Sequence, residues 1–299
     1  MKKWSISIVI PNWNGVYLLQ KHLQNAIDAT DGCEMIVSDD CSTDESVDYL
    51  KKNFPRVIVV SSKNRQGFAG NVNAGVARAT GDIVILLNTD VEPEKGFLQP
   101  LLSHFDDPNV FAVGCLEKSW ENGQAVLRGR GIASWKKGFY VHERGEVDKK
   151  DTAWVSGGSG AFRRSMWNTL GGMDTIYNPF YWEDIDLSYR ARKSEWKTIF
   201  ESKSIVNHYH EEGKIKKEFN QIDVRRIVYR NQFIFIWKNV TDIKILLSHV
   251  FWTPIRLMQA ILHNDLIMIR GFFWALMYIG PILQKRSYQK KLYKRTDNE

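Results

Sequence analysis

The chain has 299 residues, of which 43% are hydrophobic and 25% are charged. This composition excludes an intrinsically disordered protein, and the length allows one large domain with an appendage or two ordinary domains. Lys and Arg number 41 against 34 Asp and Glu, which gives a formal charge of +7. Much of the excess positive charge lies near the C-terminus, in Lys285, Arg286, Lys290, Lys291, Lys294 and Arg295. These residues can form a solvated tail or bind anionic lipid headgroups, and we favour the lipid interpretation.

The three cysteines are scattered and form no CxxC pair, so they indicate neither a disulfide framework nor a zinc knuckle. The first residues run directly into an apolar strand and lack the hydrophobic region of a signal peptide. Both observations favour a reducing, cytoplasmic location.

The first 90 residues alternate between short β-branched runs and segments with helical spacing. Strands are predicted at 5–10, 34–38, 57–60 and 83–87, and helices at 16–29, from Ser42 onwards and at 71–79. Ser42 followed by Glu45 has the form of a capping box, and Gly81 is expected as the C′ residue of the third helix. The alternation predicts an α/β fold with a mostly parallel central sheet.

The rest of the chain is less regular. Residues 115–153 show no period and are expected to form loops and short strands that cover the site. A strand that begins at 154 and runs into a Gly-rich turn ending at 160 is predicted, followed by a helix at 183–193 and a strand at 198–208. After residue 229, apolar stretches carry isolated charges, and no charge-free run reaches the roughly 20 residues of a spanning helix.

We therefore expect helices around 246–257 and 272–282 that lie in a membrane interface, with aromatic side chains at headgroup depth. The alternative is a helical subdomain that completes the core. The predicted division is a catalytic domain at 1–230 and a C-terminal helical, membrane-associated region at 231–299.

Polar residues follow three predicted strands, at the edge where parallel sheets bind ligands. Asp90, in the turn 88–90, can hold Mg²⁺ or Mn²⁺ on a diphosphate, although Asn and Asp also end strands as structural turns. Asp39 can accept the imide N–H of a pyrimidine, or serve as charge at a helix N-terminus. The small residues of 67–75 allow close backbone approach to phosphate or tight helix packing, and they match neither a Walker loop nor a dinucleotide fingerprint.

Glu183 and Asp184 open a predicted helix behind three aromatic residues. A carboxylate here can deprotonate an attacking hydroxyl, whereas acidic residues are also common at helix starts. The aromatic residues can face a sugar or belong to the core. His208 can assist a metal or a diphosphate, or be a structural histidine.

Together the segments 8–15, 38–44, 87–90, 157–164 and 183–187 resemble the family-2 glycosyltransferases of the GT-A fold, in the bacterial branch that includes rhamnosyltransferases. The resemblance covers about residues 5–240. It departs from the family at Asn88, which replaces the first carboxylate of the DxD motif, and at 64–67, which is one residue longer than usual. It implies nucleotide-sugar contacts at Pro11, Asn12, Asn14, Asp39, Gly67, Asn73, Asn88 and Thr89.

The same resemblance implies an acceptor or sugar side at Gly158 and Trp182, and metal ligands at Asp90 and His208. Asp184 would be the general base and Glu183 a contact to the acceptor or the donor sugar. The expected enzyme is an inverting, Mg²⁺- or Mn²⁺-dependent glycosyltransferase on the inner face of the cell membrane. Its donor would be a UDP-, dTDP- or GDP-sugar and its acceptor a glycan or lipid-linked molecule, with no nucleic-acid partner.

Two other functions remain open from the residues. A sugar nucleotidylyltransferase needs an N-terminal Gly-rich loop, which residues 10–15 lack. A non-catalytic carbohydrate-binding protein on the same fold is disfavoured because both Asp90 and Asp184 are present.

Overall fold

The structure is a computed structural model that describes residues 4–121, 124–209 and 218–297. Its strands are β1 (Ile6–Asn12), β2 (Glu34–Asp39), β3 (Ile58–Ser61), β4 (Ile83–Leu86), β5 (Val91–Pro93), β6 (Val110–Glu121), β7 (Gln124–Arg128), β8 (Gly131–Lys136), β9 (Phe139–Arg144), β10 (Gly160–Arg163) and β11 (Lys197–His208). Its α-helices are α1 (Val16–Ala29), α2 (Ser46–Asn53), α3 (Gly67–Arg78), α4 (Leu98–Ser103), α5 (Arg164–Leu170), α6 (Glu183–Lys193), α7 (Gln221–Asn239), α8 (Ile243–Leu262), α9 (Leu266–Leu276) and α10 (Ile279–Gln289).

Nine of the eleven described strands form one sheet in the order β3-β2-β1-β4-β10-β6-β11-β5, with β7 beside β6, and β8 and β9 form a separate two-stranded sheet. The strands β3, β2, β1 and β4 are parallel to one another, and β6 is parallel to β11. Because β10 lies antiparallel between β4 and β6, those two strands point the same way. The sheet is therefore mostly parallel, and the predicted α/β fold is confirmed.

Two layers of helices cover this sheet. One apolar cluster joins α1, α2 and α4 to one face of the sheet, and a second joins α3, α5 and α6 to the other. Burial on both faces explains why β1, β2 and β4 are almost continuous apolar runs. Their polar residues come at the ends, where the register places Asn12 opposite Asp39.

Three local predictions are wrong, and the first concerns the start of α2. The helix begins at Ser46 rather than after a capping box at Ser42. The Ser42 hydroxyl instead donates to Asp39 at the end of β2. Asp44 accepts from the backbone N–H of Ser46 at 3.0 Å, so a different side chain satisfies the helix start.

The second concerns Gly81, which is not a left-handed C′ residue. The helix α3 ends at Arg78, and Ala79 follows in an extended conformation. A Cβ atom on Gly81 would lie 2.6 Å from the backbone nitrogen of Ser7. This glycine is therefore explained by close packing of the chain against β1.

The third concerns residues 154–160, which do not form a strand; β10 begins at Gly160. The backbone N–H of Val155 donates to the Ser188 hydroxyl of α6 at 3.1 Å instead of to a neighbouring strand. Residues 115–153 are also more regular than expected. They contain most of the sheet strand β6, the strand β7, and a hairpin of β8 and β9.

The C-terminal helices pack on the rest of the chain through an aromatic cluster. Phe233 and Phe235 of α7 belong to the same core as Tyr140 of β9 and Tyr189 of α6. The single helix α7 passes through the predicted domain boundary at residue 230. The chain end is anchored as well, because Oδ2 of Asp297 accepts from the backbone N–H of Thr241 at 2.6 Å.

The outer surface of these helices is apolar. In α8, exposed side chains recur at helical spacing: Ile243, Leu247, Val250, Phe251, Met258, Ile261 and Leu262. By length and composition, α8 is the one described helix that could cross a membrane, and α9 with its continuation to Leu292 passes the same test as a pair bent by 67°.

Candidate active site

The carboxyl ends of β1 and β2 form a polar corner held by hydrogen bonds. Nδ2 of Asn12 donates to Oδ1 of Asp39 at 2.8 Å, and the Ser42 hydroxyl donates to the same oxygen at 2.6 Å. The backbone N–H of Ser42 donates to Oδ2 at 3.0 Å. Asp39 is 1% exposed, and Pro11 is buried beside it on β1. The corner is thus rigid before any ligand arrives.

Asn14 connects the turn after β1 to the turn after β2. Its Oδ1 accepts from the backbone N–H of Thr43 at 2.7 Å, and its own N–H donates to the Ser42 hydroxyl at 2.8 Å. In the same corner, Oδ1 of Asn12 is buried without a hydrogen-bond partner among the described residues. It lies against Gly15, where a Cβ atom would come within 2.4 Å of it, so only glycine fits at this position without displacing the amide.

Asp40 has a role that the sequence analysis missed. Its carboxylate accepts from the backbone N–H groups of Gln66 and Gly67 at the start of α3, the latter at 3.0 Å. These amides are therefore occupied by a protein carboxylate rather than free for phosphate. Gly67 has φ of +71°, and a Cβ there would lie 2.6 Å from Oδ1 of Asn178, so both conformation and space require glycine.

Two asparagines of α3 face different parts of the molecule. Nδ2 of Asn71 donates to the backbone oxygen of Asn12 at 3.2 Å, which places Asn71 under the polar corner. Asn73 instead makes two hydrogen bonds with the backbone of Met173, at 2.7 and 3.0 Å. The structure brings Asn71 to the strand ends, and nucleotide contact by Asn73 stays a prediction that its bonds to Met173 do not favour.

The turn after β4 lies against the Gly-rich segment before β10. The backbone N–H of Asn88 donates to the backbone oxygen of Gly158 at 2.9 Å. A Cβ on Gly158 would lie 2.6 Å from Nδ2 of Asn88, so only glycine fits without displacing that amide. The Thr89 methyl group lies 3.9 Å from where a Cβ on Gly15 would be, next to the turn after β1.

Asp90 and His208 are brought together by the pairing of β5 with β11, which places Val91 opposite His208. Oδ1 of Asp90 lies 3.5 Å from Nε2 of His208, and the other ring nitrogen lies 3.4 Å from Oε2 of Glu117. The Ser159 hydroxyl donates to the second oxygen of Glu117. All four side chains are buried. Glu117 was missed because it lies on β6, where no pattern in the sequence indicates a strand.

The imidazole of His208 is held as a cation. Burial acts to lower its pKa, but hydrogen bonds to Asp90 and Glu117 and the charges of both carboxylates outweigh burial and raise the pKa to about 10. An imidazolium between two carboxylates satisfies charges that would otherwise be costly to bury.

Asp90 and His208 together supply one oxygen and one nitrogen donor. Within residues 4–121, 124–209 and 218–297, no group of three or more His, Cys, Asp and Glu side chains is arranged to hold a metal ion. The pair therefore fits a divalent cation whose other ligands are phosphate oxygens and water, as Mg²⁺ commonly has. Such a cation would take the place of the His208 proton.

Glu183 and Asp184 begin α6 and differ in their surroundings. Glu183 is buried, Oε2 has no partner among the described residues, and burial followed by the charge of Asp184 raises its pKa to about 8. Asp184 is partly buried and accepts from the backbone N–H of Gly157 at 3.3 Å. Burial raises its pKa too, and the charge of Glu117 adds to this. A pKa of about 8 keeps Glu183 mostly protonated at neutral pH.

A strained corner precedes these carboxylates. Tyr181 and Trp182 have φ of 68° and 79°, a left-handed conformation that costs roughly 1–3 kcal/mol for a non-glycine residue. The corner buries the Trp182 ring, which is 3% exposed, against Tyr140 and Phe235, while Tyr181 is 41% exposed. A sugar contact by Trp182 stays a prediction that this burial does not favour, and Tyr181 is the aromatic side chain at the surface.

The residues predicted for the donor side and those predicted for the acceptor side meet around Glu117. This residue contacts His208 beside Asp90, and its charge acts on Asp184. A second connection runs through the backbone, because Asp184 contacts Gly157 while the neighbouring Gly158 contacts Asn88. The two distant acidic segments therefore lie at one place, at the carboxyl ends of the sheet strands.

Comparisons with known proteins identify the family of the chain. The model of glycosyl transferase family 2 matches residues 7–171. The pre-mycofactocin glycosyltransferase of Mycobacterium tuberculosis is 28% identical over 208 residues, or 69% of this chain and 43% of that protein. The GalNAc(5)-diNAcBac-PP-undecaprenol beta-1,3-glucosyltransferase of Campylobacter jejuni is 26% identical over 235 residues, or 76% of this chain and 69% of that protein. The chain thus spans less than half the length of its mycobacterial relative.

Solved structures show the same fold at low identity. Residues 1–349 of S. aureus TarS, solved with UDP-GlcNAc, align with a TM-score of 0.60 at 14% identity, covering 97% of this chain and 93% of that one. The mannosyltransferase PcManGT of Pyrobaculum calidifontis, solved with GDP-Man and Mn²⁺, aligns with a TM-score of 0.57 at 17% identity, covering 98% and 86%. At these identities the likeness concerns the fold alone, and it confirms the GT-A-type architecture.

Titration of the metal-free protein will test the His208 arrangement. We expect His208 to stay protonated at pH 8, because its pKa is raised to about 10, and His249 to stay neutral above pH 5, because burial lowers its pKa to about 4. The contacts of His208 should stabilise the fold fully below the ordinary histidine pKa of about 6.5 and be lost as the pH rises through about 10.

The measurement is the pH dependence of imidazole ¹³C shifts, assigned with the variants His208→Gln and His249→Gln. Loss of the His208 proton between pH 6 and 7 would contradict the arrangement of this histidine between two carboxylates.

Proposed function

The chain belongs to glycosyl transferase family 2, and we propose that it transfers a sugar from a nucleotide-diphosphate donor to a hydroxyl group of a glycan or lipid-linked acceptor. The observation that carries this proposal is the meeting of Asp90 and Asp184 around Glu117 at the strand ends. Family membership favours sugar transfer over the nucleotidyl transfer and the non-catalytic binding that the residues alone leave open.

Asp184 is the general base of the proposed reaction. The acceptor oxygen attacks the anomeric carbon as the bond to the diphosphate breaks, and the hydroxyl proton passes to the Asp184 carboxylate. One displacement inverts the configuration of the anomeric carbon. Glu183 keeps its proton at neutral pH because its pKa is about 8, so it can donate a hydrogen bond to the acceptor or the donor sugar.

The donor lies on the opposite side, along the ends of β1, β2 and β4. Asp39 and Asn12 face the nucleobase of the donor in the rigid polar corner. Asn14, Asn88 and Thr89 belong to the turns beside that corner. Asp90 and His208 would hold Mg²⁺ or Mn²⁺ at the diphosphate. When bound, the cation neutralises negative charge on the departing group.

We further propose that the C-terminal helices attach the enzyme to the inner face of the cell membrane, where a lipid-linked acceptor lies. In this division, residues 1–230 carry the catalytic side chains and 231–299 form the membrane-associated region, with α7 shared between them. The support is the apolar outer face of α8 to α10, where Phe251, Leu262 and Met277 are 63%, 77% and 79% exposed. Contiguous exposed apolar surface of this kind marks an interaction site.

The helix α8 lies on this surface rather than across a bilayer, because its inner side is fixed to the protein. Nδ1 of His249 lies 3.0 Å from the backbone oxygen of Gly138, and a Cβ on Gly138 would lie 2.2 Å from the backbone nitrogen of His249. One packed side and one apolar side are the pattern of an interfacial helix. The exposed Lys290 and Lys291 add attraction to anionic lipids, whereas Lys285 is paired with Asp174.

The base assignment is tested with Asp184→Asn. The variant has the same shape but accepts no proton, so we expect normal folding, normal donor binding and transfer reduced about 100-fold or more. The native enzyme should lose activity on acidification at a pH above the ordinary Asp pKa of about 4, because the pKa of Asp184 is raised. Steady-state kinetics against pH provide the measurement. Asp148→Asn, at an exposed carboxylate, is the matched control; full transfer by Asp184→Asn removes Asp184 from this role.

The metal assignment is tested with Asp90→Ala. Removal of one of two protein ligands should weaken Mn²⁺-supported donor binding roughly tenfold or more, and leave the weaker binding measured in EDTA almost unchanged. Calorimetry with UDP-, dTDP- and GDP-sugars, with and without Mn²⁺, gives both values and identifies the nucleotide. If Mn²⁺ strengthens donor binding equally in the variant and in the Asp148→Ala control, Asp90 does not hold the cation.

Membrane attachment is tested with Phe251→Ser and Leu262→Ser in the full chain. Each change removes a large apolar side chain from the interface, so we expect about tenfold weaker partitioning onto phosphatidylglycerol vesicles per substitution. Tyr17→Ser, at a 60% exposed aromatic residue of α1, should partition like the native protein. Equal partitioning of all variants contradicts membrane attachment. A native dimer that the two substitutions convert to a monomer also contradicts it, because the apolar face would then bind a second copy of the chain.

A further inference from the structure

The loop before Glu183 and Asp184 has a strained backbone in the two residues that directly precede them. Tyr181 and Trp182 are consecutive non-glycine residues with positive φ. Such a conformation persists only where the surrounding structure holds it, and it is concentrated at functional sites. The groups that hold this corner therefore control the direction in which α6 presents its first carboxylates.

One side chain of α7 binds the corner from below. Nδ2 of Asn231 lies within hydrogen-bond distance of three backbone oxygens: Tyr177 at 2.9 Å, Phe180 at 3.1 Å and Tyr181 at 2.9 Å. Asn231 is fully buried, so no water competes for these carbonyl groups. The two N–H groups of this amide are shared among three carbonyl groups, so one nitrogen atom of Asn231 connects the beginning of the loop to its end.

The neighbouring residue fixes the orientation of that amide. Nε of Arg230 donates to Oδ1 of Asn231 at 2.9 Å, which directs the NH₂ group of Asn231 toward the loop. The same guanidinium donates to the backbone oxygen of Tyr177 at 3.1 Å and lies 4.1 Å from the ring centre of Trp274 in α9. A continuous set of contacts thus leads from the C-terminal helices to the corner.

We propose that Asn231 is a positioning residue for sugar transfer: it holds the Tyr181–Trp182 corner in its left-handed conformation and so aims Asp184 at the acceptor hydroxyl. This inference rests on the proposed role of Asp184 and extends it to a residue that contacts neither substrate. Arg230 sets the amide orientation, and Trp274 fixes Arg230. The role needs a buried donor at position 231 and does not depend on the charge of any side chain.

The test is a graded series at one position. Asn231→Ser retains a hydroxyl that can donate to one carbonyl, and Asn231→Ala retains none. We expect transfer per bound donor to fall about 5-fold in the serine variant and about 50-fold in the alanine variant, with a higher KM for the acceptor and a donor Kd within twofold of native. Rates are normalised to donor-binding sites, so loss of folded protein alone leaves the value unchanged.

Gln232→Ala is the matched control, because Nε2 of Gln232 donates to a backbone oxygen outside the corner, that of Tyr140 at 3.1 Å. Hydrogen exchange gives a readout independent of catalysis: amides of 180–184 should exchange faster in both Asn231 variants and at the native rate in the control. Trp274→Leu, near the surface, should increase the exchange of these amides by a smaller factor. This variant replaces Asn231→Ala in the test if Asn231→Ala does not fold.

Native exchange at 180–184 together with a native rate per bound donor in Asn231→Ser overturns the inference. Failure of the proposed function is distinguishable, since it requires Asp184→Asn to be fully active or the native chain to transfer no sugar, and neither result alters the exchange measurement.

Discussion

The carboxylate of Asp186 is the group on which the geometry of the site depends. It is fully buried and accepts from the Tyr177 hydroxyl at 2.8 Å and from Nε of Arg190 at 2.7 Å, and Nζ of Lys238 lies 2.7 Å away. Burial opposes its ionisation, yet Lys238 and Arg190 hold its pKa below the ordinary value. Removing one partner of such a group leaves an uncompensated buried charge, which typically costs 3–5 kcal/mol. The start of α6 is thereby locked to α7.

Three acidic residues at one helix start consequently have three different environments. Lys238 and Arg190 hold the pKa of Asp186 below its ordinary value, burial raises the pKa of Glu183 to about 8, and burial raises the pKa of the partly buried Asp184. The sequence does not distinguish them, because their spacing describes only a helix N-terminus rich in acid. The difference comes from partners on α7 and β6, which are distant along the chain.

The same reasoning explains what could be predicted from the sequence and what could not. The parallel strands β1, β2 and β4 were predictable because burial on both faces imposes apolar runs and leaves polar residues at their ends. The meeting of Asp39 with Asn12 follows from that order. The position of Glu117 was not predictable, because β6 is placed in the sheet by its pairing with β10 and β11, strands that come later in the chain. The sequence left open whether the Trp182 ring faces a sugar or belongs to the core, because it does not reveal the left-handed corner that turns the ring inward.

The helix α7 joins the C-terminal region to the candidate active site. Asn231 and Lys238 are seven residues apart, two helical turns, and so they project from the same side of the helix. The first binds the loop before Asp184, and the second pairs with Asp186 just after it. On its other side α7 packs against α9 and α10, whose outer faces are apolar. The docking of those outer helices to a bilayer, as proposed above, would therefore act on residues that contact the chain on both sides of Asp184.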